Sequence, residues 1–510
     1  MSVDLYKAEA KRLADHLSDT HGIKLKHTSV LAAIAALHGS RDWNTLIARH
    51  KPSLLQRAAD ALRPRQELST VVDMEDMLYD LPSSGIRFGL SPVAGHQENT
   101  SGERIPVDIA DSDLLRHTLV VGGNGLGYSP LLEDIAVQQV IRGGGLLVLD
   151  PRQDLYMARR LQQAATHATR EDAYTVLLDE ASRPTDLTTD SYDIFTGSDA
   201  QAMSRQILAV VGMGSPNNPG AQYYYSNALR MLEAVLNAMF AGGLPVSAQA
   251  LSELFAAPTQ FFKLMEKASH VPAAQNALQS VLAPYIKTTK NGQEFDVSVF
   301  NGSLGGLGGR LAMLAKMILD KTQAAPRSPS IATVLEKDQI AYIGDNLLDD
   351  SKMKMLFAVV DDLKHAIESR RAALNRGAPR SAVPFLIVVP MTLTVMDPKA
   401  MQQLLLTARG ANIALVFHVS SLGELDSAGD AVGDDIITQT RLKVFFAPTA
   451  QRAFDQAAGC LEFSGASVSS ESGKPALAIR DRLKKLRVAE ALLLAKGEIQ
   501  DLRIRMIRPE

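Results

Sequence analysis

The sequence predicts an α/β fold: a parallel-rich sheet, an all-α domain inserted into it, and a small helical domain at the amino terminus. Three observations carry this. Apolar, β-rich runs at Thr118–Val121 and Leu146–Asp150 flank a glycine-rich turn and a helical stretch from Leu131 to Ile141, a βαβ unit and therefore a parallel pair of strands. Helical periodicity then dominates from about residue 199 to 325. Strand signals return at Gln339–Ile343, Phe385–Val389, Ile413–Phe417 and Val444–Phe446, with helices between them, so the sheet begun at residue 118 is completed after residue 335.

The elements follow in order. Residues 1–52 read as a module of three short helices, with Leu31, Ile34, Leu37 and the lone Trp43 as core candidates and Gly39-Ser40-Arg41-Asp42 as a turn. The stretch Ala35-Ala36-Leu37-His38-Gly39 through Trp43-Asn44-Thr45-Leu46 resembles small modules described as glyoxalase-related. His21, His27, His38 and His50 form no HExxH pattern and have no carboxylate at a ligand spacing, so no metal is assigned. Residues 53–104, punctuated by Pro64, Pro82 and Pro92, read as a linker passing into short strands. Residues 105–198 form the first half of the sheet domain and 335–470 the second. Between them, 199–334 is the all-α insertion: Leu229, Leu232, Val235, Leu236, Met239 and Phe240 mark one helix face, Gly242-Gly243 ends that helix, and Ser247 caps the next. Residues 471–510 are a C-terminal segment.

Composition narrows the function. With 510 residues, 46% hydrophobic and 21% charged, the chain can build two or three ordinary cores. A net charge of −3 excludes the bulk basic character of dedicated DNA-binding domains. A single cysteine, Cys460, rules out an intramolecular disulfide framework and fits a reducing compartment. The start, MSVDLYKAEAKRLADHL, lacks the apolar stretch of a signal peptide, and no uncharged run is long enough to span a bilayer. The expected location is cytoplasmic, with any contact to the inner membrane made through partners.

A P-loop requires Gly-x-x-x-x-Gly-Lys-Ser/Thr, because backbone N–H groups cradle phosphate oxygens, the lysine neutralises the terminal phosphates and the hydroxyl holds Mg²⁺. The strand ending at Val121 leads into Gly122-Gly123-Asn124-Gly125-Leu126-Gly127-Tyr128-Ser129. Only the lysine is missing, and it is the charge; Tyr128 is neutral at pH 7. Pro130 removes one more N–H from the first helical turn, although proline is well tolerated as the first residue of a helix. Taken alone, this segment fits a former P-loop and an ordinary tight βα turn alike.

Context extends the pattern. Arg116-His117-Thr118-Leu119-Val120-Val121-Gly122, the helix, then Gly143-Gly144-Gly145-Leu146-Leu147-Val148-Leu149-Asp150-Pro151-Arg152-Gln153-Asp154 resembles the TraD/TraG type IV coupling proteins of the HerA/FtsK superfamily. In those proteins the strand after the P-loop helix ends Asp-Pro-Lys-Gly-Asp. Ser191-Tyr192-Asp193-Ile194-Phe195, Tyr223-Tyr224-Tyr225, Ile340-Ala341-Tyr342-Ile343-Gly344 and Asp361-Asp362-Leu363-Lys364 continue the similarity in the same order, over roughly residues 105 to 505. The resemblance implies a RecA-like P-loop NTPase fold. It also implies a Walker B strand ending Asp-Glu, one acid for Mg²⁺ and one for the attacking water. The corresponding strand here is Phe385-Leu386-Ile387-Val388-Val389-Pro390-Met391, without either acid. Asp397 lies too far along the chain, and Asp150 ends a strand that is not normally beside the P-loop. The family's Arg-Gly-Ala-Gly-Ile is retained as Arg409-Gly410-Ala411-Asn412-Ile413, and its sensor glutamine is replaced by Ser420.

These departures imply a degenerate nucleotide site. Its candidate contacts are the loop residues 122–129 and Asp150, with weak or no binding and no resident cofactor. The expected function is a pseudo-ATPase acting as scaffold or adaptor in bacterial conjugation or type IV secretion. The alternative is a DNA-translocating coupling ATPase that binds ATP and Mg²⁺ through a non-standard site. The implied partner is an active coupling or secretion ATPase in a ring or hetero-oligomer, to which Arg409 would contribute in trans. The amino-terminal module would stand where membrane-anchored relatives carry a transmembrane hairpin. Two basic runs, Lys364, Arg370, Arg371, Arg376 and Arg380, and Arg480, Arg482, Lys484, Lys485 and Arg487, can be DNA contacts or solvated helix faces; without interleaved aromatics the second reading is favoured.

Overall fold

In the computed structural model the chain divides into two units, residues 1–69 and 70–510. The structure describes residues 71, 72, 82, 84–92, 104–178, 187–190, 192, 194, 195, 199–213, 219–289, 292–319, 329–346, 355–463 and 475–507. The three expected amino-terminal helices, with Trp43 and the four histidines near it, lie outside them.

The strands are β1 (Val71–Val72), β2 (Ile86–Pro92), β3 (Arg104–Ile109), β4 (Thr118–Val121), β5 (Leu146–Asp150), β6 (Ala173–Leu177), β7 (Ile286–Thr289), β8 (Gly292–Phe295), β9 (Ile340–Gly344), β10 (Phe385–Val389), β11 (Ile413–Val419), β12 (Leu442–Phe446), β13 (Glu490–Ala495), β14 (Glu498–Arg503) and β15 (Met506–Ile507). One 11-stranded sheet has the order β3-β2-β14-β13-β12-β4-β11-β10-β5-β9-β6. From β12 to β6 every neighbouring pair is parallel; from β3 to β12 every pair is antiparallel.

The helices that cover the sheet explain why its parallel strands read as uninterrupted apolar runs. On one face, α1 (Tyr128–Ile141) and α2 (Leu155–His167) bury Val120, Val148, Val388 and Val416. On the other, α3 (Ala200–Val210), α4 (Met355–Asn375) and α5 (Pro398–Ala408) bury Leu119, Leu147, Ile387 and Leu415. Successive side chains of a strand point to opposite faces, so a strand covered on both sides is apolar at most of its positions.

Between β6 and β9 the described chain is mainly helical. Leu232, Val235, Leu236 and Met239 are buried, Leu229 and Phe240 pack against them, Gly243 takes φ 62°, and the Ser247 hydroxyl accepts the Ala250 N–H at 3.1 Å. The all-α expectation needs one correction, because β7 and β8 form an antiparallel hairpin within this stretch. Thr288 and Thr289 supply β-branched residues there, too briefly to register as a strand.

Toward one end of the sheet β2 is a short strand of the kind expected where the linker ends, with Ile86 and Phe88 fully buried. Beside it one further correction is needed. β13 and β14 belong to the segment expected to follow the sheet domain. Both segments are recruited by tertiary contacts: Gln138 of α1 accepts the Arg87 N–H at 2.9 Å and donates to the Arg87 carbonyl at 2.8 Å, and the Arg505 guanidinium pairs with Asp134 at 3.0 Å. Helix α1 also begins earlier than expected, at Tyr128, which makes Pro130 its third residue rather than its first. That position is still in the first turn, where an N–H has no intrahelical acceptor.

Candidate functional site

Strand β4, the glycine turn and α1 form the expected strand–loop–helix. Gly125 and Gly127 adopt φ 80° and 110°, and a Cβ on Gly127 would meet the Cα of Ala489 at 2.9 Å. The turn is therefore glycine-rich both to reverse the chain and to admit the C-terminal strands.

Tyr128 does not face solvent from the loop. It is 2% exposed and stacks on His418, with ring centroids 3.7 Å apart and planes inclined by 12°. Its hydroxyl donates to Asn124 Oδ1 at 3.0 Å and accepts from Arg152 Nη1 at 3.1 Å, while the Arg152 Cζ lies 5.7 Å from the ring centroid. Such a stack adds about 0.5–1.5 kcal/mol beyond area burial.

His418 ties the loop to the neighbouring strand ends. Its Nδ1 accepts the Met391 N–H at 3.0 Å, which leaves the proton on Nε2, and Nε2 donates to the Gly122 carbonyl at 2.9 Å. Burial lowers its pKa to about 4, so the ring is neutral at pH 7. The Thr392 hydroxyl completes the knot, donating to the Val389 carbonyl at 2.8 Å and accepting the His418 N–H at 3.0 Å. Met391 itself sits at φ 47°.

The sequence-derived candidates divide sharply by position. Gly122, Gly123, Asn124, Gly125, Leu126, Gly127, Tyr128 and Ser129 are together in the turn. Asp150 is on another strand: β11 and β10 lie between β4 and β5, and the Arg152 guanidinium bridges the gap, with Nε 3.8 Å from Asp150 Oδ1 and Nη1 3.1 Å from the Tyr128 hydroxyl. It is also fully buried and committed, accepting from the Arg152 N–H at 3.0 Å, the Asp154 N–H at 2.9 Å and the Tyr342 hydroxyl at 3.0 Å. Asp397 caps α5 through the Ala400 N–H at 2.7 Å. Ser420 donates its N–H to Glu424 at 3.1 Å. Arg409 is exposed, before the amino end of β11 and thus at the opposite edge of the sheet from the turn; no carboxylate pairs with it among the described residues.

His418 and Arg152 are the residues that sequence reasoning passed over. The first left a signal, a histidine inside the apolar run Ile413–Val419; the second occupies the lysine position of the Asp-Pro-Lys-Gly-Asp pattern. The basic runs are largely spent internally. Arg370 pairs with Asp338 at 2.8 Å and donates to the Ala411 carbonyl, Arg371 pairs with Glu368, Arg480 with Asp455 and Glu462, and Arg482 with Asp501.

Mg²⁺-triphosphate does not fit these residues. Tyr128 brings a buried phenol rather than an ammonium to the glycine turn, and Pro390 and Met391, at the end of β10, bring no carboxylate. Among the described residues no cluster of three or more His, Cys, Asp or Glu could hold a metal ion. No described helix is long and apolar enough to cross a membrane.

Residues 1–69 match the family described as "Glyoxalase superfamily protein". No curated protein matches the chain in sequence. Among solved structures, the unbound bacterial conjugative coupling protein TrwBdeltaN70 is similar at 16% identity over 86% of this chain and 94% of its own, with TM-score 0.53. The plasmid coupling protein TrwB in complex with ADP and Mg²⁺ is similar at 16% identity over 84% and 97%, again with TM-score 0.53. TrwB with the GTP analogue GDPNP gives 17% identity over 84% and 96%, at TM-score 0.53. The seven parallel strands, the strand–loop–helix at residue 122 and the helical stretch between β6 and β9 are thus accounted for together: the chain carries the RecA-like P-loop NTPase fold of the conjugative coupling proteins.

Proposed function

We propose that this chain is a coupling-protein-like pseudo-ATPase, a scaffold or adaptor subunit in bacterial conjugation or type IV secretion. The observation that supports the proposal is the Tyr128–His418 stack: the residue we read at the P-loop lysine position is a buried phenol, and His418 ties the loop to the Met391 end of β10. Hydrolysis needs charge neutralisation, a metal ligand and a group that orients water; among the described residues Arg152 is the one cation at this knot, and Pro390 and Met391 bring no carboxylate for the other two roles. Purified protein is expected to show no Mg²⁺-dependent ATPase activity. Tyr128→Lys alone is expected to leave it inactive, because Pro390 and Met391 still supply no acid; turnover by either protein that co-purified with the chain would overturn the proposal.

A second reading rests on Arg152, whose guanidinium reaches the Tyr128 hydroxyl. In it the chain still binds ATP, with Arg152 in place of the missing lysine, and translocates DNA. Calorimetry with Mg²⁺-ATP on wild type and Arg152→Ala separates the two readings. The partner in the first is an active coupling or secretion ATPase of the same system, which Arg409 serves from the edge of the sheet remote from this chain's own loop. Co-expression with that ATPase, with turnover compared between wild type and Arg409→Ala, tests the role; an unchanged rate removes it and leaves scaffolding.

A further inference from the structure

Lys443 is the second residue of β12, in Leu442-Lys443-Val444-Phe445-Phe446, and is only 5% exposed. Leu442, Val444 and Phe446 face the α1 side, so alternation turns Lys443 to the other. Its ammonium donates to the Thr440 carbonyl at 2.6 Å and meets no carboxylate among the described residues. A buried ammonium has three donors and a large desolvation cost, and one backbone acceptor answers little of either.

This lysine lines a cleft of about 870 Å³, within the usual range for small-molecule sites. The cleft lies at the amino edge of the sheet, away from the glycine turn, which is at the carboxyl end of β4. Arg116 and Arg441, immediately before the adjacent strands β4 and β12, also line it; the Arg441 N–H donates to the Arg116 carbonyl at 2.9 Å. Both side chains are exposed and neither pairs with a carboxylate among the described residues. The acids of the lining are mostly engaged: Asp113 with Lys496 at 2.9 Å and Asp426 with Arg452 at 3.1 Å, which leaves Asp434. Cationic charge is therefore in excess, and its deepest member is on the most costly ground.

We propose that this cleft binds a small anion carrying two or more carboxylate or phosphate groups, one acidic group seated on Lys443 and another held by Arg116 and Arg441. Such a ligand supplies the charged acceptors that the protein withholds from these three side chains, and charge-assisted bonds of this kind are about twice as strong as neutral ones. The site is independent of the reading of the glycine turn. Cys460, the chain's single cysteine, lines the same cleft and makes a reporter.

The test uses full-length protein with inorganic pyrophosphate and, separately, citrate as probes, which distinguishes a phosphate from a carboxylate ligand. Calorimetry should show saturable binding of at least one, weakened about tenfold or more by Arg116→Ala/Arg441→Ala and by Lys443→Met. The double variant alters exposed side chains only, so it remains informative if Lys443→Met fails to fold. The bound probe should also slow iodoacetamide modification of Cys460 in wild type and not in the double variant. Absence of binding by both probes at about 10 mM, well above ordinary small-ligand affinities, overturns the proposal. So does binding that survives the cleft variants, or that is abolished by Arg152→Ala instead.

Discussion

Replacing His418 by glutamine tests the knot that closes the glycine turn, and its signature is a dependence on pH. In the folded protein the His418 pKa is lowered from 6.5 to about 4, first because burial excludes water from the imidazolium. The geometry gives the same direction, since Nδ1 must stay unprotonated to accept the Met391 N–H. With the folded pKa below the unfolded one, the unfolded chain takes up the proton first. The stabilisation is fully present above about pH 6.5 and is lost as pH falls toward 4, a span worth roughly 3 kcal/mol at 1.36 kcal/mol per unit. His117 is shifted to about 4 as well, so the wild-type profile alone mixes two groups and the variant is needed to isolate one. At about pH 7.5, His418→Gln should lose roughly 2–4 kcal/mol, from the stack with Tyr128 and two ring hydrogen bonds. By about pH 4.5 most of that gap should close, because wild type has by then surrendered its own advantage. Urea unfolding at steps across this range measures the gap directly. A gap that stays constant with pH would mean that His418 titrates alike in both states, and would refute the buried neutral tautomer on which the knot depends.

Two further outcomes follow from packing. In the helix Val297–Leu319, a Cβ added at Gly302, Gly306 or Gly309 meets nothing within 4 Å, so Gly302→Ala, Gly306→Ala and Gly309→Ala should each raise stability by about 0.5–1 kcal/mol in thermal or urea unfolding; a loss at any of them would show a contact not present in this fold. Arg505→Met should cost about 3–5 kcal/mol by leaving Asp134, 1% exposed, without its cation, and adding Asp134→Asn should recover part of that loss; a neutral single variant would mean that the C-terminal residues do not hold α1.

The amino-acid sequence by itself determined the parallel sheet and its helices, because that information is local. Runs such as Phe385–Val389 and Ile413–Phe417 are apolar at every position, which is intelligible only for strands buried on both faces, and the glycines at 122–127 announce a turn before a helix. The proposal of a degenerate nucleotide site at Tyr128, Pro390 and Met391 rests on the same local reading. It stopped short of β13 and β14 and of their joining the short strands after the linker, since β14 meets β2 across more than 400 residues, as in the pairing of Leu90 with Arg503. Asp150 and Asp397 were legible as carboxylates near strand ends, but whether such a group is free for a metal is decided by who donates to it, and here Arg152, Asp154, Tyr342 and Ala400 do. Only the tertiary structure could bring His418 against Tyr128 and turn Lys443 and Arg441 toward a cleft with Arg116: the groups that meet come from different elements, and the short-range forces that set a tautomer or leave a cation unpaired act between residues that the chain order keeps apart.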